Sequence, residues 1–140
     1  MRLRVVGAIS AILGICIVAL AVGEVATSKR LAAEFAVNGH AWNLPVSRDV
    51  FLVRSRLAAG AVALSGLLTT IAGLGIMYGK GWGLYVETMA ALLILAFPPV
   101  SRLFFIDPYA FDGPDLVDCA VASLIGLSAS LAFIFRARRS

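Results

Sequence analysis

The hydrophobic and polar positions of this chain fall into four long apolar stretches separated by polar segments. The apolar stretches cover about residues 5–22, 57–78, 82–103 and 116–135. Each has about the length that an α-helix, rising about 1.5 Å per residue, needs to cross about 30 Å of hydrocarbon. The apolar residues are continuous rather than alternating, which excludes the strands of a membrane β-barrel. The pattern therefore predicts an all-α, polytopic membrane protein with a bundle of four transmembrane helices.

The composition agrees with this interpretation. Hydrophobic residues make up 61% of the chain and charged residues 14%, compared with about 45–50% and about 25% in soluble proteins. We expect a single domain over residues 1–140, because the predicted helices are joined by short or moderate connections. The first stretch follows Met1-Arg2-Leu3-Arg4 and could be a signal peptide, but it is longer than the roughly 7–15 apolar residues of a signal core. It is predicted to be an uncleaved anchor.

The basic residues predict the orientation of the helices. One group lies at the two termini and in the second connection, with no acidic residue among them: Arg2, Arg4, Lys80, Arg136, Arg138 and Arg139. Cytoplasmic segments next to helix ends are rich in Lys and Arg, so both termini are predicted to be cytoplasmic, in a bacterial inner membrane or another cell membrane. The net charge of +4 is then explained by the orientation of the helices. The sequence has no basic face with interleaved aromatic residues, so nucleic-acid binding is not predicted.

Two short motifs predict a turn between the second and third helices and an interruption of the third helix. Gly79-Lys80-Gly81 is a three-residue turn, which predicts that the second and third helices are antiparallel neighbours. Pro98-Pro99 removes two amide donors from the third helix, so this helix is expected to stop or kink near residues 96–97.

The connections 23–56 and 104–115 are predicted to lie on the outer side. The first is long enough to contain a short interfacial helix over residues 28–37, stopped by Asn38-Gly39, and Ser47 is a plausible cap for a helix that begins at Arg48. Five residues in or beside these outer segments are candidate contacts for a partner protein: Trp42, Arg54, Arg56, Asp112 and Asp115.

Small residues recur at a spacing of four on two of the predicted helices. In lipid, helices associate through close backbone approach and interhelical hydrogen bonds, which small residues permit. The candidate helix-packing faces are Ser65, Thr69 and Gly73 on the second helix, and Ala122, Gly126 and Ser130 on the fourth. Packing within one chain and packing against another subunit both remain open.

Glu87 is a carboxylate inside the third apolar stretch, about 7 Å below the inner interface. Intramembrane acids are costly and often mark proton or cation pathways, so Glu87, together with Thr70 on the neighbouring helix, is a candidate proton or cation site. Three alternatives remain: Thr70 or Tyr78 hydrogen-bonds a protonated Glu87, the side chain reaches Lys80 and the headgroups, or it contacts a lipid or quinone.

No cofactor or metal ion is expected. His40 is the sole histidine, and Cys16 and Cys119 have no metal or redox spacing. The serines have no base positioned beside them for nucleophilic catalysis.

The preferred functional hypothesis is a non-enzymatic accessory or scaffold subunit of a larger membrane complex. A homo-oligomeric transporter or channel that uses Glu87 is the alternative. A lipid-binding protein or membrane enzyme that uses Arg54, Arg56 and the outer acids comes third. The expected partners are membrane lipid and either other membrane subunits or further copies of the chain.

Overall fold

The structure, a computed structural model, describes the backbone of residues 2–41, 48–105 and 113–137. These residues form four α-helices: α1 (Arg2–Ala41), α2 (Arg48–Met77), α3 (Trp82–Phe105) and α4 (Gly113–Ala137). For the described part of the chain, the prediction of an all-α fold with four helices is confirmed, while four membrane crossings stay a prediction.

Helix α1 is longer than the sequence predicts. It contains 40 residues, so it is about 60 Å long, and it continues through the segment that we expected to form a loop with a separate short helix. That expectation, including the stop at Asn38-Gly39, is wrong. The physical reason lies partly at Ser28, which does not cap a new helix but donates a hydrogen bond of 2.8 Å to the Val25 carbonyl, in the preceding turn.

The connection between α2 and α3 is the tight turn that the sequence predicts. Gly79 has a φ of 72°, a left-handed conformation that glycine adopts without steric cost. The Gly79 amide donates to the Ile76 carbonyl at 3.0 Å, and the Lys80 amide donates to the Gly75 carbonyl at 2.8 Å. This pair of bonds is the Schellman motif that ends many helices. It reverses the chain so that α2 and α3 pack side by side.

The predicted start of α2 at Arg48 is confirmed, whereas Ser47, the predicted cap, lies outside the described residues. The predicted stop in α3 is not confirmed. Helix α2 begins at Arg48 and runs without interruption to Met77. Helix α3 continues through Pro98-Pro99 to Phe105, so an end of the helix at residues 96–97 is wrong, while a kink there stays a prediction. Each proline removes one amide donor and crowds the preceding turn, yet the chain stays helical on both sides of the pair.

Helices α1 and α2 form the most extensive contact in the bundle. They approach at two glycine pairs, Gly7 with Gly73 and Gly14 with Gly66, where a Cβ on either glycine would collide with the other helix. Helix α3 packs on α2, while α4 packs on α3 and α1 and hardly touches α2. The largest buried cluster contains residues from all four helices: Ile17, Ala21, Val62, Ala90, Ile94, Val121, Ala122 and Ile125.

Large apolar side chains cover the outside of the bundle. Ile12, Met89, Leu127 and Phe133 are each about 60% exposed or more, and Tyr85 is 76% exposed. Several buried residues, in contrast, carry hydroxyl or carboxyl groups: Ser10, Ser28, Ser65, Thr69, Glu87 and Ser128. So many large apolar side chains on the outside are unusual for a soluble helical protein.

Two helices within the described part of the chain contain stretches that are long and apolar enough to cross a membrane. They are Leu3–Arg30, with 28 residues, and Ser55–Met77, with 23 residues. The apolar stretches in the other two helices, Trp82–Ala96 and Ala120–Ile134, are shorter.

Candidate functional site

Glu87 is the only charged side chain among the buried residues that the structure describes, and its exposed fraction is 0%. It lies on the buried face of α3 with Gly83, Ala90 and Ile94, residues that a helix of 3.6 residues per turn brings onto one side. Gly83 packs against the backbone of α2, where its Cβ position would lie 2.8 Å from the Ala72 carbonyl oxygen. The sequence of α3 therefore directs the carboxyl group into the bundle.

Ser128 of α4 is the hydrogen-bond partner of Glu87. Its hydroxyl contacts Glu87 Oε1 and also lies 2.9 Å from the carbonyl oxygen of Ile125. Ser128 lies on the buried face of α4, between Ile125 and Ala132, both of which have 0% exposure. The contact thus joins α3 to α4 inside the protein.

Ser10 of α1 completes the cluster. It is fully buried and lies beside the carboxyl group of Glu87, although their geometry falls short of a hydrogen bond. Ser10 Oγ and Glu87 Oε2 are both buried without a hydrogen-bond partner among the described residues. We name Ser10, Glu87 and Ser128 the carboxyl cluster; its members come from α1, α3 and α4.

The structure brings together only part of the site that the sequence suggested. Thr70, which we grouped with Glu87, donates to the Gly66 carbonyl at 2.9 Å and lies against Gly14 of α1. Tyr78 is 73% exposed at the end of α2. Ser10 and Ser128 were missed, and the signal that could have found them is a hydroxyl residue on the otherwise apolar buried stripe of its own helix.

The two candidate helix-packing faces have different surroundings. On α2, the Ser65 hydroxyl donates to the Ala90 carbonyl of α3 at 3.0 Å, the Thr69 hydroxyl donates to the Ser65 carbonyl at 2.9 Å, and Gly73 lies against α1. On α4, Ala122 is buried, whereas Gly126 and Ser130 line a groove. The face on α2 therefore packs within the chain, and the face on α4 is largely open.

This groove lies between α3 and α4 and has a volume of about 590 Å³. Small residues from both helices line it, including Ala91, Ala122, Gly126, Ala129 and Ser130, together with large apolar residues. The hydroxyls of Thr88 and Ser130 donate to the Leu84 and Gly126 carbonyls of their own helices, at 2.9 Å and 2.8 Å. An apolar group can therefore enter beside them without breaking these hydrogen bonds.

The candidate partner contacts of the outer connections are mostly outside the described part of the chain. Trp42 and Asp112 lie outside the described residues, as do the side chains of Arg54 and Asp115, whereas Arg56 is exposed on α2. Within the described ranges, no group of three or more His, Cys, Asp or Glu residues could bind a metal ion. Cys16 is an exposed free thiol.

Comparisons with protein-family models, with curated proteins and with solved structures give no match. Two features of this chain therefore remain from which to infer a function: the α3–α4 groove and the carboxyl cluster.

Proposed function

We propose that this protein is a membrane-spanning four-helix bundle that acts as a non-enzymatic accessory subunit. In this proposal, a transmembrane helix of a larger membrane complex binds in the α3–α4 groove. Both termini are cytoplasmic, in a bacterial inner membrane or another cell membrane.

The apolar outer surface supports membrane insertion of all four helices. Lipid is the solvent in which exposed Ile, Leu, Met and Phe side chains have no cost. Helices α3 and α4 contain 24 and 25 residues, so each is about 36 Å long and exceeds the roughly 30 Å of a hydrocarbon core. Their apolar stretches are short, but the whole helices have sufficient length to cross.

The observation that carries the functional proposal is the small-residue face of α4, which is buried at Ala122 and open at Gly126 and Ser130. Ala122, Gly126 and Ser130 lie one turn apart along the groove, over about 12 Å of helix. A Cβ on Gly126 would meet no atom within 4 Å, so the described part of this chain leaves the space beside its backbone empty. Small residues at such spacing allow a second helix to approach closely, and this contact is a main source of helix association in lipid.

A helix fits this face better than a lipid chain does. Van der Waals contact between two helices requires that their backbones approach, which is what the small residues permit. A flexible acyl chain adapts to large side chains as well as to small ones, so it gives no reason for a small residue at each turn. The large apolar residues beside the groove, such as Leu92 and Phe133, would pack on the sides of the bound helix.

The burial of Glu87 favours this proposal over the homo-oligomeric transporter. One carboxylate per chain makes a pathway only when several copies assemble their carboxylates along a shared surface. Glu87 lies inside its own bundle with 0% exposure, so it is not available at a surface between copies.

The proposal is tested with two matched glycine variants. Gly126→Leu fills the groove, whereas Gly60→Leu adds the same side chain to α2 at a position that also has no atom within 4 Å of the Cβ. We expect Gly126→Leu to lose the partner and Gly60→Leu to retain it, as measured by native mass spectrometry after extraction in mild detergent. A photo-reactive residue at position 130 should crosslink to the same partner, and one at Leu127, exposed outside the groove, should not.

Two results would contradict the proposal. Retention of the partner by Gly126→Leu would show that the groove is not the docking site. Isolation of the wild-type chain from its native membrane as a monomer with lipid alone would exclude a stable accessory role.

A further inference from the structure

We propose that the carboxyl cluster of Ser10, Glu87 and Ser128 is a proton-binding site, in which Glu87 is a neutral carboxylic acid inside the bundle. This inference concerns a different part of the molecule from the α3–α4 groove. It does not rest on the accessory function.

The first argument is the number of hydrogen atoms available for hydrogen bonds. Ser128 Oγ contacts two oxygens, Glu87 Oε1 and the Ile125 carbonyl, and a serine hydroxyl has one hydrogen to donate. If Glu87 is ionised, Oε1 and the Ile125 carbonyl oxygen are both acceptors, and the Ser128 hydroxyl can donate to only one of them. If Glu87 has a proton on Oε1, the carboxyl group donates to Ser128 and Ser128 donates to Ile125. A single added proton therefore satisfies both contacts.

The second argument is the lack of a compensating charge. The buried residues that the structure describes include no Lys, Arg or His. The groups that face Glu87 from α1 and α4 are the hydroxyls of Ser10 and Ser128. On α2, the buried hydroxyls of Ser65 and Thr69 are directed to the Ala90 and Ser65 carbonyls. An unpaired buried carboxylate is strongly unfavourable, and protonation removes the charge.

This site suits a proton better than a metal cation. Hard cations such as Mg²⁺ and Ca²⁺ take six or more oxygen ligands. The cluster supplies four side-chain oxygens: two from Glu87 and one from each serine. Glu87 Oε2 and Ser10 Oγ are the two side-chain oxygens of the cluster that have no hydrogen-bond partner in the described residues.

Proton binding at this place would be linked to packing of the bundle. The three members of the cluster lie on α1, α3 and α4, and α4 makes the smallest contacts with the rest of the protein. Loss of the proton would leave an unpaired charge between these helices. Proton binding therefore favours the packed position of α4.

Infrared spectroscopy of the full chain in lipid vesicles tests the proposal directly. At neutral pH we expect the carbonyl stretch of a protonated carboxylic acid, a shift of this band in D2O, and its loss in Glu87→Gln. Glu24→Gln is the matched control and should retain the band. Ser128→Ala should shift its frequency, because the acceptor of the carboxyl proton is removed, and replacement of Na⁺ by choline should leave it unchanged.

The chain offers a second route if Glu87→Gln does not fold. Its glutamates are Glu24, Glu34 and Glu87, so ¹³C-glutamate in the Glu24→Gln/Glu34→Gln variant labels Glu87 alone. A labelled carboxylate band without the acid band at neutral pH would overturn the proposal. Loss of the acid band on addition of Na⁺ would also overturn it and would identify a metal-cation site. The groove variant Gly126→Leu should retain the band, so failure of one proposal is distinguishable from failure of the other.

Discussion

At the scale of single residues, the contact between α1 and α2 is determined by glycines that lie seven positions apart on each helix. Gly7 and Gly14 of α1 meet Gly73 and Gly66 of α2 in antiparallel order, and a Cβ on Gly14 would lie 2.5 Å from both the Gly66 carbonyl oxygen and the Thr70 amide nitrogen. Backbone atoms cannot move aside as side chains can. These positions therefore have no room for even a methyl group.

Substitution Gly14→Ala should destabilise the protein by about 1–3 kcal/mol, because the extra carbon forces the two helices apart. Gly23→Ala, on the same helix, is the control: no atom lies within 4 Å of its Cβ, and alanine favours helix by up to about 1 kcal/mol relative to glycine. The free energy of unfolding of both variants is measured by titration with SDS in mixed micelles. Equal stability of the two would show that α1 and α2 do not approach at Gly14.

At this scale, the sequence indicated single unusual residues but not the residues on other helices that they contact. Glu87 could be singled out because a carboxylate in an apolar stretch is rare. Its pairing with Ser128 depends on the rotation of α4 about its own axis, which the local sequence does not specify. The search for small residues at a spacing of four likewise found Gly73 but missed its partner Gly7 on α1 and the second pair, Gly14 with Gly66.

At the scale of elements, the α2–α3 hairpin shows which local signals are sufficient. The Gly-Lys-Gly turn predicted two antiparallel helices, and the left-handed Gly79 with its two backbone hydrogen bonds provides the mechanism. Residues that weaken a helix without reversing the chain were poor predictors of where the helices end. Asn38-Gly39 does not end α1, although glycine disfavours helix by about 1 kcal/mol, and Pro98-Pro99 does not end α3, although each proline lacks an amide donor.

Substitution Gly79→Ala should weaken the hairpin by about 1–2 kcal/mol, the cost of a left-handed conformation for a residue with a Cβ. Gly79→Asn should lose less, since asparagine tolerates this conformation better. In denaturation in mixed micelles we expect the wild type to be the most stable, Gly79→Asn intermediate and Gly79→Ala the least stable. Indistinguishable midpoints for Ala and wild type would mean that Gly79 does not adopt a positive φ.

At the scale of the whole molecule, the apolar exterior and the partly polar interior both agree with the proposed lipid environment. Where lipid is the solvent, burial of Leu or Ile gains little, so large apolar residues can remain outside, and the interior can contain hydroxyl groups that bond to backbone carbonyls, as Ser65 does with Ala90. The four apolar helices could be predicted from the sequence because they depend only on composition and segment length. The open groove could not be predicted, since it arises from the relative positions of α3 and α4.

The distribution of basic residues leads to a prediction for the orientation of the bundle. In the proposed orientation, with both termini cytoplasmic and four crossings, we expect the α2–α3 turn in the cytoplasm and the start of α2 on the outer side. Lys80 and Asp49 are exposed at these two places. In a background with Cys16→Ser and Cys119→Ser, a membrane-impermeant maleimide should label Asp49→Cys in intact cells, but Lys80→Cys only after permeabilisation. Labelling in the opposite order would invert the topology, and labelling of both in intact cells would show that α2 does not cross the membrane.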